Sequence, residues 1–507
     1  MAAPLVVDPT NPRPGFYMRV DFLKGASSPG SAGLTCAIVT PPASTPGNIV
    51  VGTEIRSIAS AEDMETATGR SLGYYAWKAL YANDKNTLPD VVCCTESVGV
   101  AATGTFTFAG TPTSNMTFRA FIMGFSVDLF WNVGEAITLA RDNNFPRINA
   151  IGADIFLIAS AGSGGVVNLT ARSKGPCGND LAIRVIIVAG VGGTCTASGA
   201  TLTGGTTEVD ITTALATLAV REYDHILLCT SNADSQSASA SSSPGRVATH
   251  IDNNLTGSTG KLQQAQYGST GTIAQAKTNA IARNHTNLEH VLSRSAEDLP
   301  SEVAAAELGD RMRRRRLESN ANRVLQPLKR LRGAAVPSTA QYTDAEAADA
   351  LNNGVALVGY TANNSPMLVR SITTHSQDTN GNPDRRCVDT NETDSLYDYA
   401  KDMRIFLPQT YQSPDGQVKV AKNRQPGDDP NPEGVVEERD IRASIISRTK
   451  FWIDKGVIDG MAFAAAANDG TLQVNVNATD PTQVDMFVPA KCFKILAKLG
   501  LYLAKVG

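Results

Sequence analysis

Residues 342–388, YTDAEAADALNNGVALVGYTANNSPMLVRSITTHSQDTNGNPDRRCV, decide how the rest of the chain is read. Thr343 stands as an N-cap before a run of good helix formers, Asp344–Leu351, with Asp344 and Glu346 in the first turn. Asn352-Asn353-Gly354 supplies a residue able to take positive φ and ends that helix. Two β-type runs follow, Val355–Val358 and Met367–Thr374, separated by the turn formers Asn363-Asn364-Ser365-Pro366. A polar loop, Gln377–Asp384, comes next. The stretch predicts a helix, a hairpin and a long turn, and it holds no catalytic constellation.

Outward from it, 507 residues give room for two to four domains. A hydrophobic content of 42% with 19% charge is globular, and 6% aromatics with 43 glycines fits a loop-rich α/β or α+β chain. A net charge of −4 argues against a dedicated nucleic-acid binder. The sequence lacks an apolar run of about 18 residues and opens without a basic segment before an apolar one, so neither membrane insertion nor a signal peptide is expected. The eight cysteines, Cys36, Cys93, Cys94, Cys177, Cys195, Cys229, Cys387 and Cys492, form no CxxC pair, which leaves two readings. They are buried free thiols, or some of them (Cys36, Cys93, Cys94, Cys177, Cys195, Cys387, Cys492) join subunits in oxidising surroundings.

Before the deciding stretch, residues 1–14 read as an extended lead. Phe16, Met18, Val20 and Phe22 then alternate with Tyr17, Arg19 and Asp21, the pattern of a half-buried strand. That strand belongs either to its own domain's edge or to an arm that adds to a neighbour's sheet. Strands at Leu34–Val39 and Val91–Cys94 and helices at Ala61–Thr68 and Leu72–Ala82 begin an α/β layer. From about Val100 the texture becomes small, Thr-rich and β-like, including Val166–Ala171. Strand and helix alternate again through Asp210–Leu218, Asp224–Cys229, Arg246–Asn254, Gln264–Gly268, Ile273–Arg283 and Leu288–Leu292, which implies a mostly parallel sheet. Arg311, Arg313, Arg314, Arg315 and Arg316 head a segment with nine basic residues against one acidic, Glu318, through residue 332. No aromatics are interleaved for base stacking, so the expected role is a solvated face or a surface for an acidic protein partner. A helix at Asp394–Phe406, a polar loop at Thr410–Pro432, a helix at Val435–Lys455 and strands at Thr471–Val476, Met486–Pro489 and Gly500–Lys505 complete the chain.

Enzymatic signals are weak. The glycine-rich Lys174–Leu181 is no phosphate-binding loop, since GxxxxGK[ST] is absent, and it reads as a tight turn. His225, His250, His285 and His290, with Asp224 and any of many serines, allow a hydrolase triad on paper, but no GxSxG elbow supports it.

The ordered motifs Thr343-x-x-Glu346, Leu351-x-x-Gly354, Arg370-Ser371-Ile372-Thr373-Thr374-His375, Gly381–Asp384 and Val388-Asp389 resemble the C-terminal domain of contractile phage tail sheath proteins. The family more often has Tyr where this chain has His375. Pro14-Gly15-Phe16-Tyr17 resembles the family's opening. Val167–Ala171 with the Gly175–Asp180 turn resembles a domain inserted in its longer, Mu-like members. Asp480–Pro489 resembles its last loop, Met486 departing from a Val.

The resemblance implies a multidomain α/β and α+β chain whose terminal strands are exchanged between neighbouring subunits. Its parts would be an N-terminal arm at 1–24, a central α/β domain at 25–99 and 204–335, an inserted β-rich domain at 100–203, a C-terminal α+β domain at 336–497 and a C-terminal arm at 498–507. Phe16–Phe22 and Leu501-Tyr502-Leu503 would be the exchanged strands. It also implies a non-enzymatic subunit without cofactors that forms stacked rings around a tail tube protein, between baseplate and tail terminator proteins. Such a subunit is assembled in the host cytoplasm, belongs to the virion tail and drives the tube through the envelope by contraction. An α/β hydrolase or protease-like enzyme and the sheath of a cell-encoded contractile injection system are the alternatives.

Overall fold

The computed structural model describes residues 34–44, 47–255, 260–295, 297–318, 320–334, 341–384, 386–411, 419–421, 423, 435–477 and 484–492. The expected terminal arms, 1–24 and 498–507, lie outside these residues.

The first segment gives β1 (Cys36–Thr40), β2 (Glu54–Ile55), α1 (Ala61–Thr68), α2 (Leu72–Asn83) and β3 (Asp90–Cys93). Ser60 caps α1, accepting from Asp63 N–H at 3.0 Å while the Asp63 carboxylate accepts from Ser60 N–H. An insertion follows with β4 (Thr103–Gly110), β5 (Met116–Ile122), β6 (Phe125–Trp131), α3 (Ile137–Ala150), β7 (Leu157–Ala161), β8 (Val166–Ala171), β9 (Ile183–Ala189) and β10 (Gly193–Ala197). The chain then returns through α4 (Thr212–Leu218), β11 (His225–Leu228), α5 (Asn232–Ser235), α6 (Ser243–Leu255), β12 (Gln264–Thr270), α7 (Ile273–Arg283), β13 (Leu288–Ser293), α8 (Pro300–Leu317) and β14 (Val324–Pro327). Next come α9 (Asp344–Asn352), β15 (Ala356–Tyr360), β16 (Pro366–Arg370) and α10 (Thr390–Tyr411).

These strands make a nine-stranded sheet in the order β14-β16-β15-β13-β12-β11-β1-β3-β2. Its middle, from β15 to β3, is parallel, and the antiparallel strands β16, β14 and β2 lie at the edges. Alternate residues serve opposite faces, as a pleated strand requires. Ile38, Val91 and Leu227 face the core built on α2 and α8, whereas Val39, Val92 and Ile226 face α4 and α6. Gly309 lets α8 lie close on α2, since a Cβ there would stand 2.6 Å from the Leu80 carbonyl oxygen.

The deciding stretch folds as its residues predict. Thr343 and Glu346 form a reciprocal cap on α9, and Gly354 takes φ +79° just beyond it. Its place in the architecture differs from expectation. β15 pairs with β13 and β16 with β14, so the hairpin extends the central sheet instead of opening a separate C-terminal layer. The apolar run Val355–Val358, buried on both faces, suits an interior strand.

The insertion is a two-sheet sandwich, β6-β5-β9 against β10-β4-β8-β7. Its core residues Phe106, Phe118 and Leu169 are continuous with the core under α2 and α8. Beyond α10 the chain forms β17 (Lys419–Ala421), β18 (Val435–Glu437), α11 (Glu438–Asp454), α12 (Gly460–Asn468), β19 (Gln473–Val476) and β20 (Val484–Phe487). β18, α11, α12, β19 and β20 pack around Ile441, Ile445 and Trp452 against Leu396, Tyr399 and Met403 of α10. α12 has no counterpart in the sequence reading.

Candidate functional site: an arginine joint and two strand pairs

Arg311 and Arg315 are one helical turn apart on α8, and Asp394 and Asp398 are one turn apart on α10, so the two helices present matching charge pairs. Asp394 is the hub. Its Oδ1 accepts from Arg311 Nη2 at 2.8 Å and Arg315 Nη1 at 3.2 Å, and its Oδ2 from Arg311 Nε at 3.0 Å and from Arg323. Arg311 also reaches Glu289 Oε2 on β13 at 2.8 Å, and Arg315 reaches Asp398 Oδ2 at 3.2 Å and His225 Nε2 at 2.9 Å. Lys401 Nζ lies 2.7 Å from Asp224 Oδ1 at the margin.

Burial alone would raise the Asp394 pKa, but Arg311, Arg315 and Arg323 outweigh it and hold the carboxyl well below the usual range. Glu307 behaves oppositely: burial, reinforced by the neighbouring Glu289 carboxylate, pushes its pKa well up. Ser371 Oγ sits 2.7 Å from Glu289 Oε1 and 2.8 Å from Glu307 Oε1. Thr390 Oγ1 also lies 2.6 Å from this hydroxyl, which has one proton and cannot donate to both carboxyls, so one glutamate donates to it. The Arg311 bond to Glu289 and the raised pKa of Glu307 assign that proton to Glu307. Charge agrees: four cations (Arg311, Arg315, Arg323, Lys401) face five carboxyls (Asp224, Glu289, Glu307, Asp394, Asp398), and a neutral Glu307 balances them.

This corrects the expectation of a partner-facing basic patch at Arg311 and Arg315, while Arg313, Arg314 and Arg316 keep part of their side chains exposed. Arg311 and Arg315 are buried within the subunit, Arg313 and Arg314 bond Asp310, and Arg316 bonds Asp84. The acidic complement is supplied by this chain itself. The i,i+4 spacing of Asp394 and Asp398 was the signal available in the sequence; Glu289 and Glu307, on a strand and a helix interior, gave none.

All eight cysteines are buried. Burial pushes the Cys93 and Cys195 thiols up to about 11 and about 12, and raises Cys36, Cys94, Cys177 and Cys229 as well. The structure therefore presents no sulfur on the subunit surface for a bond to a neighbour, since a disulfide needs Cα atoms within about 7 Å.

The histidines are not gathered. Ser269 Oγ lies 2.7 Å from His290 Nε2, but both are fully buried, the imidazole stacks on Tyr267 with centroids 4.6 Å apart, and burial lowers its pKa to about 3. Sealed in the core, this pair cannot meet a substrate. His225 is likewise buried, beside Arg315 and Gln266. Among the described residues no group of three or more His, Cys, Asp or Glu could hold a metal ion, and no helix is long and apolar enough to cross a membrane.

α/β sheets commonly bind ligands at the carboxyl ends of strands where the order reverses, here between β1 and β11. The insertion's own turn, Pro176–Asp180, enters that crevice beside Pro41, Leu72, Glu208, Cys229 and Ser231. Gly175 takes φ +97° there, and a Cβ on Gly178 would stand 2.5 Å from Ala171 Cβ, so the glycines serve a tight, closely packed turn. Asp180 Oδ2 accepts from Asn232 N–H at 2.9 Å and Glu208 Oε1 from Ser231 Oγ at 2.6 Å. Burial pushes both carboxyls up to about 7. Raised folded-state values mean that their stabilisation is complete below the unfolded values, shrinks as pH rises and is gone above about 7. Melting temperature is expected to fall between about pH 4.5 and pH 7, and Asp180→Asn to flatten that slope. A slope unchanged by the substitution would exclude this role.

Beyond α10 lie two short ladders, β17 with β18 in parallel and β19 with β20 antiparallel. Two-stranded ladders are marginal by themselves, and three or more strands on an apolar surface are stable. Each is a two-stranded ladder, and Val476 N–H at the end of β19 donates to Glu438 Oε1 at 2.8 Å. Val484 and Met486 of β20 rest on the α10–α11 core while remaining half-exposed.

No protein-family model matches the chain, and no curated protein does. Among solved structures it is similar to the sheath tail protein from Listeria innocua, at 12% identity over 86% of this chain and 87% of that one, with a TM-score of 0.40. It is similar to the sheath tail protein from Desulfitobacterium hafniense at 14% identity, over 95% and 100% of the two chains, with a TM-score of 0.43. A chain of the contracted sheath complex of an extracellular contractile injection system is 11% identical over 98% of both chains, with a TM-score of 0.45.

Proposed function

We propose that this chain is the structural sheath subunit of a contractile tail. Copies stack in rings around a tail tube, between baseplate and terminator proteins, and the extended lattice shortens to drive the tube through a cell envelope. The observation that carries the reading is the conjunction of strand-patterned chain ends, Phe16–Phe22 and Leu501–Leu503, with two ladders of only two strands each beyond α10. The ordered sheath-like motifs support it.

A strand donated from one neighbour and another from a second would complete such ladders through main-chain hydrogen bonds. Those bonds are indifferent to how the donor's body is turned, so the connecting segments act as hinges while bodies rotate and slide. The arginine joint gives each body the stiffness this needs, because it ties α8, β13 and α10 together. Contraction then needs no nucleotide: the extended lattice is a metastable state, and the shortened one adds contacts between bodies. A virion tail assembled in the host cytoplasm is the setting; the sheath of a cell-encoded injection system obeys the same physics, and genome context separates the two.

Sedimentation velocity of the purified chain across a concentration series tests the assembly step. Growth of very large species with concentration is expected. A single monomer-sized boundary at every concentration would contradict it.

A further inference from the structure

The inserted sandwich leaves and rejoins the body through two segments that run side by side. At the crossing Thr103 N–H donates to the Thr203 carbonyl at 2.8 Å, and Thr203 N–H donates to the Thr103 carbonyl at 2.9 Å. Two adjacent crossings are one hinge, so the orientation of the sandwich depends on contacts made elsewhere. A second attachment lies on residues 328–334, the stretch that leaves β14.

Asparagine amides pin this stretch at both ends. Asn83, the last residue of α2, accepts from Lys329 N–H at 2.9 Å and donates to the Lys329 carbonyl at 3.0 Å. Asn364, between β15 and β16, makes the same two bonds to Ala334, both at 3.0 Å. Between the pins two arginines reach the sandwich. Arg330 Nη2 lies 3.3 Å from Asp154 Oδ1, which Lys78 of α2 also holds at 2.8 Å. Arg330 takes φ +70°, a left-handed conformation that costs a residue with a Cβ and persists only where its surroundings hold it. The Arg332 guanidinium stands 4.5 Å over the Phe125 ring, while its Nη1 lies 2.8 Å from Asp298 Oδ1 and 2.9 Å from Glu302 Oε2 at the start of α8. The β5–β6 turn approaches so closely that a Cβ on Gly124 would stand 2.9 Å from Arg332 Cδ, and Gly124 N–H bonds Glu297.

We propose that residues 328–334 are a strap that fixes the sandwich on its hinge, with Arg332 as the positioning residue that ties the β5–β6 turn to the start of α8. Two carboxylates hold the planar guanidinium in one orientation, and its face is the surface on which Phe125 rests. The strap makes the sandwich turn with the body as one piece. The apolar contact of Tyr75 with Phe156 remains without it, so loss of the strap loosens the sandwich and does not detach it. This role holds whatever the subunit assembles into.

Amide hydrogen exchange of Arg332→Ala and Phe125→Leu in the full-length chain tests it, each variant being read on the side of the junction opposite the change. Arg332→Ala is expected to speed exchange at residues 122–125 about tenfold or more. Phe125→Leu is expected to speed it at residues 329–334 about threefold or more, with β11 and β12 unchanged in both variants. Unchanged exchange across the junction in either variant overturns the proposal. Acceleration of β11 and β12 by the same factor also overturns it, since Arg332 would then stabilise the fold as a whole. Should Arg332→Ala not fold, the Phe125→Leu result decides alone.

Discussion

Asp394→Ala is expected to destabilise the folded chain by about 3–5 kcal/mol, while Glu307→Gln costs about 1 kcal/mol or less. The contrast follows from what each carboxyl faces. Asp394 accepts from three buried guanidiniums, and its removal leaves them with Glu289, Asp398 and each other, at a spacing where like charges repel. Glu307 already carries a proton beside Ser371, so a neutral amide of the same shape replaces like with like. Chemical denaturation of both variants checks this. A Glu307→Gln loss as large as that of Asp394→Ala would mean that Glu307 is anionic and that the charge balance drawn above is incorrect. Acid should act as the Asp394 substitution does, since a folded-state pKa held well below the unfolded one gives stability that is lost as pH falls through the folded value.

Deletion of residues 1–24 is expected to abolish polymerisation while leaving the body folded. None of the described hydrophobic cores draws on residues before Leu34, so secondary structure and melting temperature should stay near those of the full chain. What the deletion removes is the alternating strand Phe16–Phe22, whose partner on this account is a two-stranded ladder in a neighbouring copy. Circular dichroism and sedimentation of the truncated chain separate the two effects. Assemblies that persist without the arm would sink the exchange mechanism, and a truncated chain that no longer folds would show the strand to belong to its own subunit.

Local signals carried much of the fold. Thr343 with Glu346, the helix at Ala61–Thr68, and the buried runs of β1 and β11 are short-range patterns, and each folds where it reads. What sequence did not disclose is long-range. The hairpin of β15 and β16 reads the same whether it starts a new domain or extends an old sheet, because only its pairing with β13 and β14 distinguishes the two. The arginine run reads as a solvated face for the same reason. Its complement lies about 80 residues on, at Asp394 and Asp398, and a like-charged run announces its partner only through matching helical spacing. The asparagine pins at Lys329 and Ala334 were invisible, since a side chain standing in for a strand leaves no periodic trace.

Negative-stain electron microscopy of the purified full-length chain tests the central claim most directly. The account predicts hollow, cross-striated tubes or stacked rings, formed by this chain alone or on an added tail tube. Dispersed small particles at every concentration, with and without tube, would contradict it.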